Sequence, residues 1–71
     1  MTLNDLQERD VAVIASVANE RLQQMGIVAA RTVTVLRRMA CCLHIRVGST
    51  DWAIRDQDAK LVKIIPREQS R

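Results

Sequence analysis

Two adjacent thiols and an imidazole two residues further on, Cys41, Cys42 and His44, are the side chains of this sequence whose types and spacing suit chemistry. On an extended strand alternate side chains share a face, so Cys42 and His44 point the same way. Thiolate and imidazole are zinc ligands, but a tetrahedral site takes three or four donors, and this spacing supplies only half of one. A metal here therefore needs a second chain, and the alternative is a surface histidine beside packed cysteines. A bridge between neighbouring cysteines closes almost no loop and is strained, so both thiols are expected to be free, as in a reducing compartment.

Other chemistries are poorly supplied. Two glycines cannot build a phosphate-cradling loop, no carboxylates are paired on one rigid element, and no Ser/His/Asp arrangement extends beyond the isolated His44. No catalytic constellation is present in the sequence. The net charge of +3 is small and the basic residues are mostly solitary. Arg31, Arg37, Arg38, Arg46 and Arg55 could line one side of a nucleic-acid-binding surface, yet the only aromatic available to stack on a base is Trp52, which weighs against that class.

Around the thiols the chain offers a second reading, recognition of a partner. Met39, Ala40, Cys41 and Cys42 form an apolar stretch flanked by Arg37 and Arg38. Such a stretch at a hairpin tip is either folded back on the core or offered to another protein. Trp52, beside a turn, is expected to cap the core or, alternatively, to anchor an interface. Arg55 precedes Asp56 and Asp58 and is expected to pair locally with them.

The elements that must position these residues follow from periodicity. Leu3 to Leu6 reads as a lead-in turn capped by Thr2 or Asn4, with both leucines tucked under the core. Val11 to Val17 is a strand apolar on both faces, and so an inner one. A short helix is expected to bury Ala18, Leu22 and Met25 and to begin near Ser16, with an incomplete capping box because Asn19 stands three residues later. It ends at Gly26, where a left-handed residue closes a helix. Thr32 to Arg38 is a second strand with Val33 and Val35 inward, and Leu43 to Val47 a third with Leu43, Ile45 and Val47 inward. Gly48 to Asp51 reads as a turn, Trp52 to Arg55 as a fourth strand, Asp56 to Lys60 as a helical turn and Leu61 to Ile65 as a closing strand. Pro66 ends it, and 66–71 is expected to be a frayed tail after an ordered core of about 3–65.

The 71 residues make one mostly β domain, with an aliphatic stock of small branched residues suited to strands. Five short strands with one helix inserted after the first give a small antiparallel barrel of the SH3-like type. No apolar run is long enough to cross a bilayer and the opening residues are polar and acidic, so the expectation is a cytosolic chain. A domain this short gains from burying an edge strand, and a homodimer is a further expectation.

At this level the sequence resembles the FeoA family, small proteins associated with the bacterial ferrous iron transporter FeoB. The resemblance lies in Leu3-Asn4-Asp5-Leu6 followed by Ala12-Val13-Ile14, in Arg21-Leu22 with Met25-Gly26-Ile27 and then Val33-Thr34-Val35, and in Trp52-Ala53-Ile54-Arg55 with Ala59, Val62 and Ile64. It implies a non-enzymatic accessory protein of ferrous iron uptake that contacts the cytosolic region of FeoB, stationed at the inner face of the membrane when recruited by it. In an iron-linked protein the trio Cys41, Cys42 and His44 invites Fe²⁺ or Zn²⁺, although Fe²⁺ handled for transport favours harder donors than thiolates. Metal-dependent repressors carry a similar barrel as a regulatory module, but no helix-turn-helix segment accompanies it here. Where family members usually have Pro-Gly before the first strand and after the helix, this chain has Glu8-Arg9 and Ala29-Ala30. If Arg9 and Ala30 keep a positive φ, each is strained by roughly 1 kcal/mol.

Overall fold

The computed structural model of the protein describes residues 1–66. A 3-10 turn over Leu3–Asp5 leads into strands β1 (Val11–Val17), β2 (Thr32–Arg38), β3 (Cys42–Val47), β4 (Thr50–Arg55) and β5 (Val62–Pro66). Helix α1 (Glu20–Gln24) follows β1, and the single helical turn α2 (Asp56–Ala59) follows β4. All neighbouring strands are antiparallel, in the order β4-β3-β2-β1-β5, so β1 is an inner strand. The expected mostly β, five-stranded SH3-like architecture is what the chain adopts.

Alternation sets the core. Ala12, Ile14, Val33, Val35, Leu43, Ile45, Val47, Ile54, Val62 and Ile64 are buried on the concave side of the sheet, and Leu3, Leu6, Leu22, Ile27 and Ala59 close it from the connections. The sheet bends around this core at irregularities between Ile14 and Ser16 on β1 and between Val35 and Arg37 on β2, as bulges do.

The helix departs from expectation at its start. Asn19, not Ser16, is the cap: its carboxamide oxygen accepts from the Arg21 N–H at 2.8 Å and the Leu22 N–H at 3.3 Å. Ala18 consequently precedes the helix, is exposed, and gives its N–H to the Leu61 carbonyl. The helix end follows the glycine rule. Gly26 sits at φ 102°, its N–H donates to Gln23, and the Ile27 N–H donates to Leu22, whose side chain is buried in the core with that of Ile27. This is a Schellman closure with its usual apolar contact.

Smaller corrections concern boundaries. The β3–β4 turn is only Gly48-Ser49, because Val47 pairs with Thr50 and the fourth strand begins there. Positive φ at Gly48 supplies the twist that a two-residue hairpin needs. β5 starts at Val62, leaving Leu61 exposed outside the strand, and Pro66 belongs to β5, opposite Ala12. The remainder of the expected tail lies outside the described residues.

Arg9 and Ala30 both keep positive φ, at 72° and 73°. Each is pinned by its neighbour strand: the Arg9 N–H donates to Val35 at 2.7 Å and the Ala30 N–H to Ile14 at 2.8 Å. The turn shape survives without glycine because barrel carbonyls hold the backbone in place.

Candidate functional site

The β2–β3 hairpin tip carries most of the residues singled out from sequence. The tip is closed by the Met39 N–H donating to the Cys42 carbonyl at 2.9 Å, which sets Met39 opposite Cys42 with Ala40 and Cys41 between them. Met39, Ala40 and Cys41 are exposed and Cys42 is half-buried. Of the two dispositions open to this apolar stretch, the outward one applies to its first three residues. The tip is nevertheless anchored, since the Asp56 N–H at the start of α2 donates to the Cys41 carbonyl at 3.1 Å.

The two arginines beside the tip part company. Arg37 is exposed, in register with His44. Arg38 is engaged within the chain: its guanidinium donates to the Leu6 carbonyl at 2.8 Å and to the Asn4 carbonyl at 2.9 Å, and its backbone N–H reaches the Glu8 carboxylate. Its role as seen here is to tie the hairpin to the lead-in segment.

Cys42 and His44 do share a face of β3, and both are half-buried. Burial pushes the Cys42 thiol above its ordinary pKa, and the neighbouring Cys41 thiol and the Asp56 carboxylate push it the same way. Among the described residues no group of three or more His, Cys, Asp and Glu side chains is placed to hold a metal. Any ion bound through this trio would have to draw on other donors.

Beside the tip lies an open groove of about 520 Å³, lined by Ala40, Cys41, Arg55, Asp56 and Gln57. Asp56 was expected only as part of a helical turn, or as a partner for Arg55. Instead its Oδ1 is buried without a hydrogen-bond partner. Nothing in the local sequence signals this, because it follows from α2 folding back under the β2–β3 tip. The expected pairing of Arg55 with Asp56 or Asp58 does not form; among the described residues the salt bridge is Arg46 Nε to Asp51 Oδ1 at 2.8 Å, across β3 and β4.

Trp52 is half-buried, packs against the core and faces Ile45 across β3 and β4, the capping disposition expected of it. No helix among the described residues is long and apolar enough to cross a membrane.

With this geometry in view, the comparisons are specific. The FeoA domain family matches residues 1–66. The chain belongs to the FeoA family. The FeoA of Stenotrophomonas maltophilia, described as complexed with zinc and as a unique procaryotic SH3 domain protein possibly acting as a bacterial ferrous iron transport activating factor, is 32% identical, with a TM-score of 0.81 over 92% of this chain and 89% of that one. The FeoA protein from Chlorobium tepidum superposes with a TM-score of 0.88 over 100% of this chain and 74% of that one, at 23% identity, a likeness of fold. A manganese-dependent transcriptional repressor shares the fold at 15% identity and a TM-score of 0.82, over 90% of this chain and 39% of its own. Comparison with functionally curated proteins gives no match.

Proposed function

We propose that this FeoA-family chain is a non-enzymatic cytoplasmic accessory protein of ferrous iron uptake that acts by binding the cytosolic region of an FeoB-type transporter. The observation that carries the reading is the family match over residues 1–66, joined to the 32% identity with a relative described as a possible transport activating factor. The barrel itself supports it. Its core is fully apolar, with no buried polar or charged residue among those described, so the fold spends its interior on packing and offers its surface for recognition.

The contact surface we assign is the outward part of the β2–β3 tip, Arg37, Met39, Cys41 and Cys42, with Trp52 as a further candidate. An exposed methionine close to the exposed Arg37 is an adaptable apolar anchor with a charged rim. Arg38 holds this surface in place from behind.

Calorimetric titration of the reduced protein into the purified cytosolic region of FeoB from the same genome, with and without a GTP analogue, tests the reading. Saturable binding is expected, weakened by Met39→Asp in a variant whose circular dichroism is unchanged. Absence of binding to a folded, nucleotide-competent partner would overturn the cytosolic contact. Full binding by the folded Met39→Asp variant would move the surface away from the tip.

A further inference from the structure

We propose that the β2–β3 tip is a soft-metal site, in which the thiolates of Cys41 and Cys42, joined by the thioether of Met39, bind one monovalent ion of the Cu(I) class within a single chain. This goes beyond the accessory role and does not depend on it.

The argument begins with the donors. Three of the five sulfur atoms in the sequence fall within four residues, and the closing hydrogen bond from Met39 to Cys42 gathers them at one end of the barrel. Thiolate and thioether are the donors that select Cu(I), whereas divalent iron and manganese look for oxygen and nitrogen. A closed zinc site needs four ligands, and no group of three His, Cys, Asp and Glu side chains is arranged for a metal among the described residues. His44 shares a face of β3 with Cys42 and is the one imidazole near the tip, a donor that zinc or Cu(II) would use and that a sulfur-selective ion leaves aside. Sulfur donors outnumber the others at the tip, which favours a two- or three-coordinate, sulfur-loving cation.

Access and field agree with this. Cys41 is exposed and Cys42 half-exposed, so both adjacent thiols are within reach of an ion from solvent. The groove beside the tip opens onto Cys41. Arg55, on the same groove, offsets the single negative charge of a copper dithiolate. Binding needs no oxidant: Cu⁺ forms two bonds to sulfur and the two thiols release their protons to solvent.

The test is an anaerobic competition between the reduced protein and bicinchoninate for Cu(I), read as loss of the coloured bicinchoninate complex. One equivalent should be withdrawn per chain, with the protein still monomeric on size exclusion. Cys41→Ser and Cys42→Ser should each abolish withdrawal and Met39→Leu should weaken it, in variants with unchanged circular dichroism. X-ray absorption of the copper-loaded wild type, which needs no variant to fold, should show sulfur scatterers only. Failure of the wild type to compete, equal competition by the double serine variant, copper-linked dimers, or nitrogen and oxygen scatterers would each overturn the proposal.

Discussion

Arg38 and Leu6 lie 32 positions apart in the chain, yet the Arg38 Nη1 donates to the Leu6 carbonyl at 2.8 Å. With Nη2 on the Asn4 carbonyl at 2.9 Å, the planar guanidinium bridges two backbone acceptors of the lead-in segment, whose Leu3 and Leu6 are both buried. Hydrogen bonds from a charged donor contribute about 1.5–3 kcal/mol when well formed, and exposure places this pair toward the lower end. Arg38→Met should therefore cost about 1–2 kcal/mol in urea unfolding. Arg38→Lys should recover only part of that, because an ammonium cannot reproduce the fork. Arg37→Met, whose side chain is exposed, should change stability little; a larger loss there than at Arg38 would refute the assignment.

The two left-handed positions invert the usual expectation for glycine. Ala30 at φ 73° carries the cost of a Cβ in the left-handed region, about 1–2 kcal/mol, while a glycine there loses roughly 0.5–1 kcal/mol more chain entropy on folding. The difference favours glycine, so Ala30→Gly should raise stability by about 0.5 kcal/mol, and Arg9→Gly should act in the same direction. Gly26→Ala should do the reverse by about 1 kcal/mol, through strain alone, since nothing lies within 4 Å of a Cβ built there. Denaturation midpoints of the three variants on one wild-type background decide it, and a destabilised Ala30→Gly would show that the turn is not strained.

At the helix start, Asn19 and Ser16 are separated by a simple substitution pair. Asn19 satisfies two of the first backbone N–H groups of α1, which in a helix of five residues leaves little else to hold the end. Asn19→Ala should cost about 1 kcal/mol. Ser16 lies exposed on β1, so Ser16→Ala should fall within about 0.5 kcal/mol of wild type. Equal costs would mean that the cap is shared.

These comparisons show where the sequence was readable. Period-two alternation placed Val33, Val35, Leu43, Ile45 and Val47 correctly, because one buried face forces every second residue inward and a slip of one would expose them all. Gly26 was legible for the same kind of reason, a conformation that side chains resist. Ser16 misled because Ser and Asn are both good caps and the choice was settled by the β1–β5 pairing, which runs through Ser16 and Val17 and postpones the helix. The candidate site was legible only as composition. That Arg38 would turn away from the tip, and that Asp56 would leave an unpartnered oxygen beside Cys42, depends on segments far apart in sequence meeting at one end of the barrel.

The Arg46–Asp51 pair gives the chain a definite acid response. Arg46 Nε and Nη2 donate to the two Asp51 oxygens at 2.8 and 3.4 Å across β3 and β4, and this guanidinium holds the Asp51 carboxyl below its usual pKa. A folded-state value below the unfolded one means that the contribution to stability is fully present above the unfolded value of about 3.9 and is lost as pH falls through the folded value. Both side chains are well exposed, so the contribution is small and salt screens it. Asp51→Asn should therefore lower the urea midpoint slightly at neutral pH and low salt, and the gap to wild type should close as acid protonates Asp51 in the folded wild-type chain. The difference at neutral pH should also shrink as sodium chloride is added. A gap between the two proteins that persists in acid would assign the effect of Asp51 to its packing in the hairpin rather than to its charge.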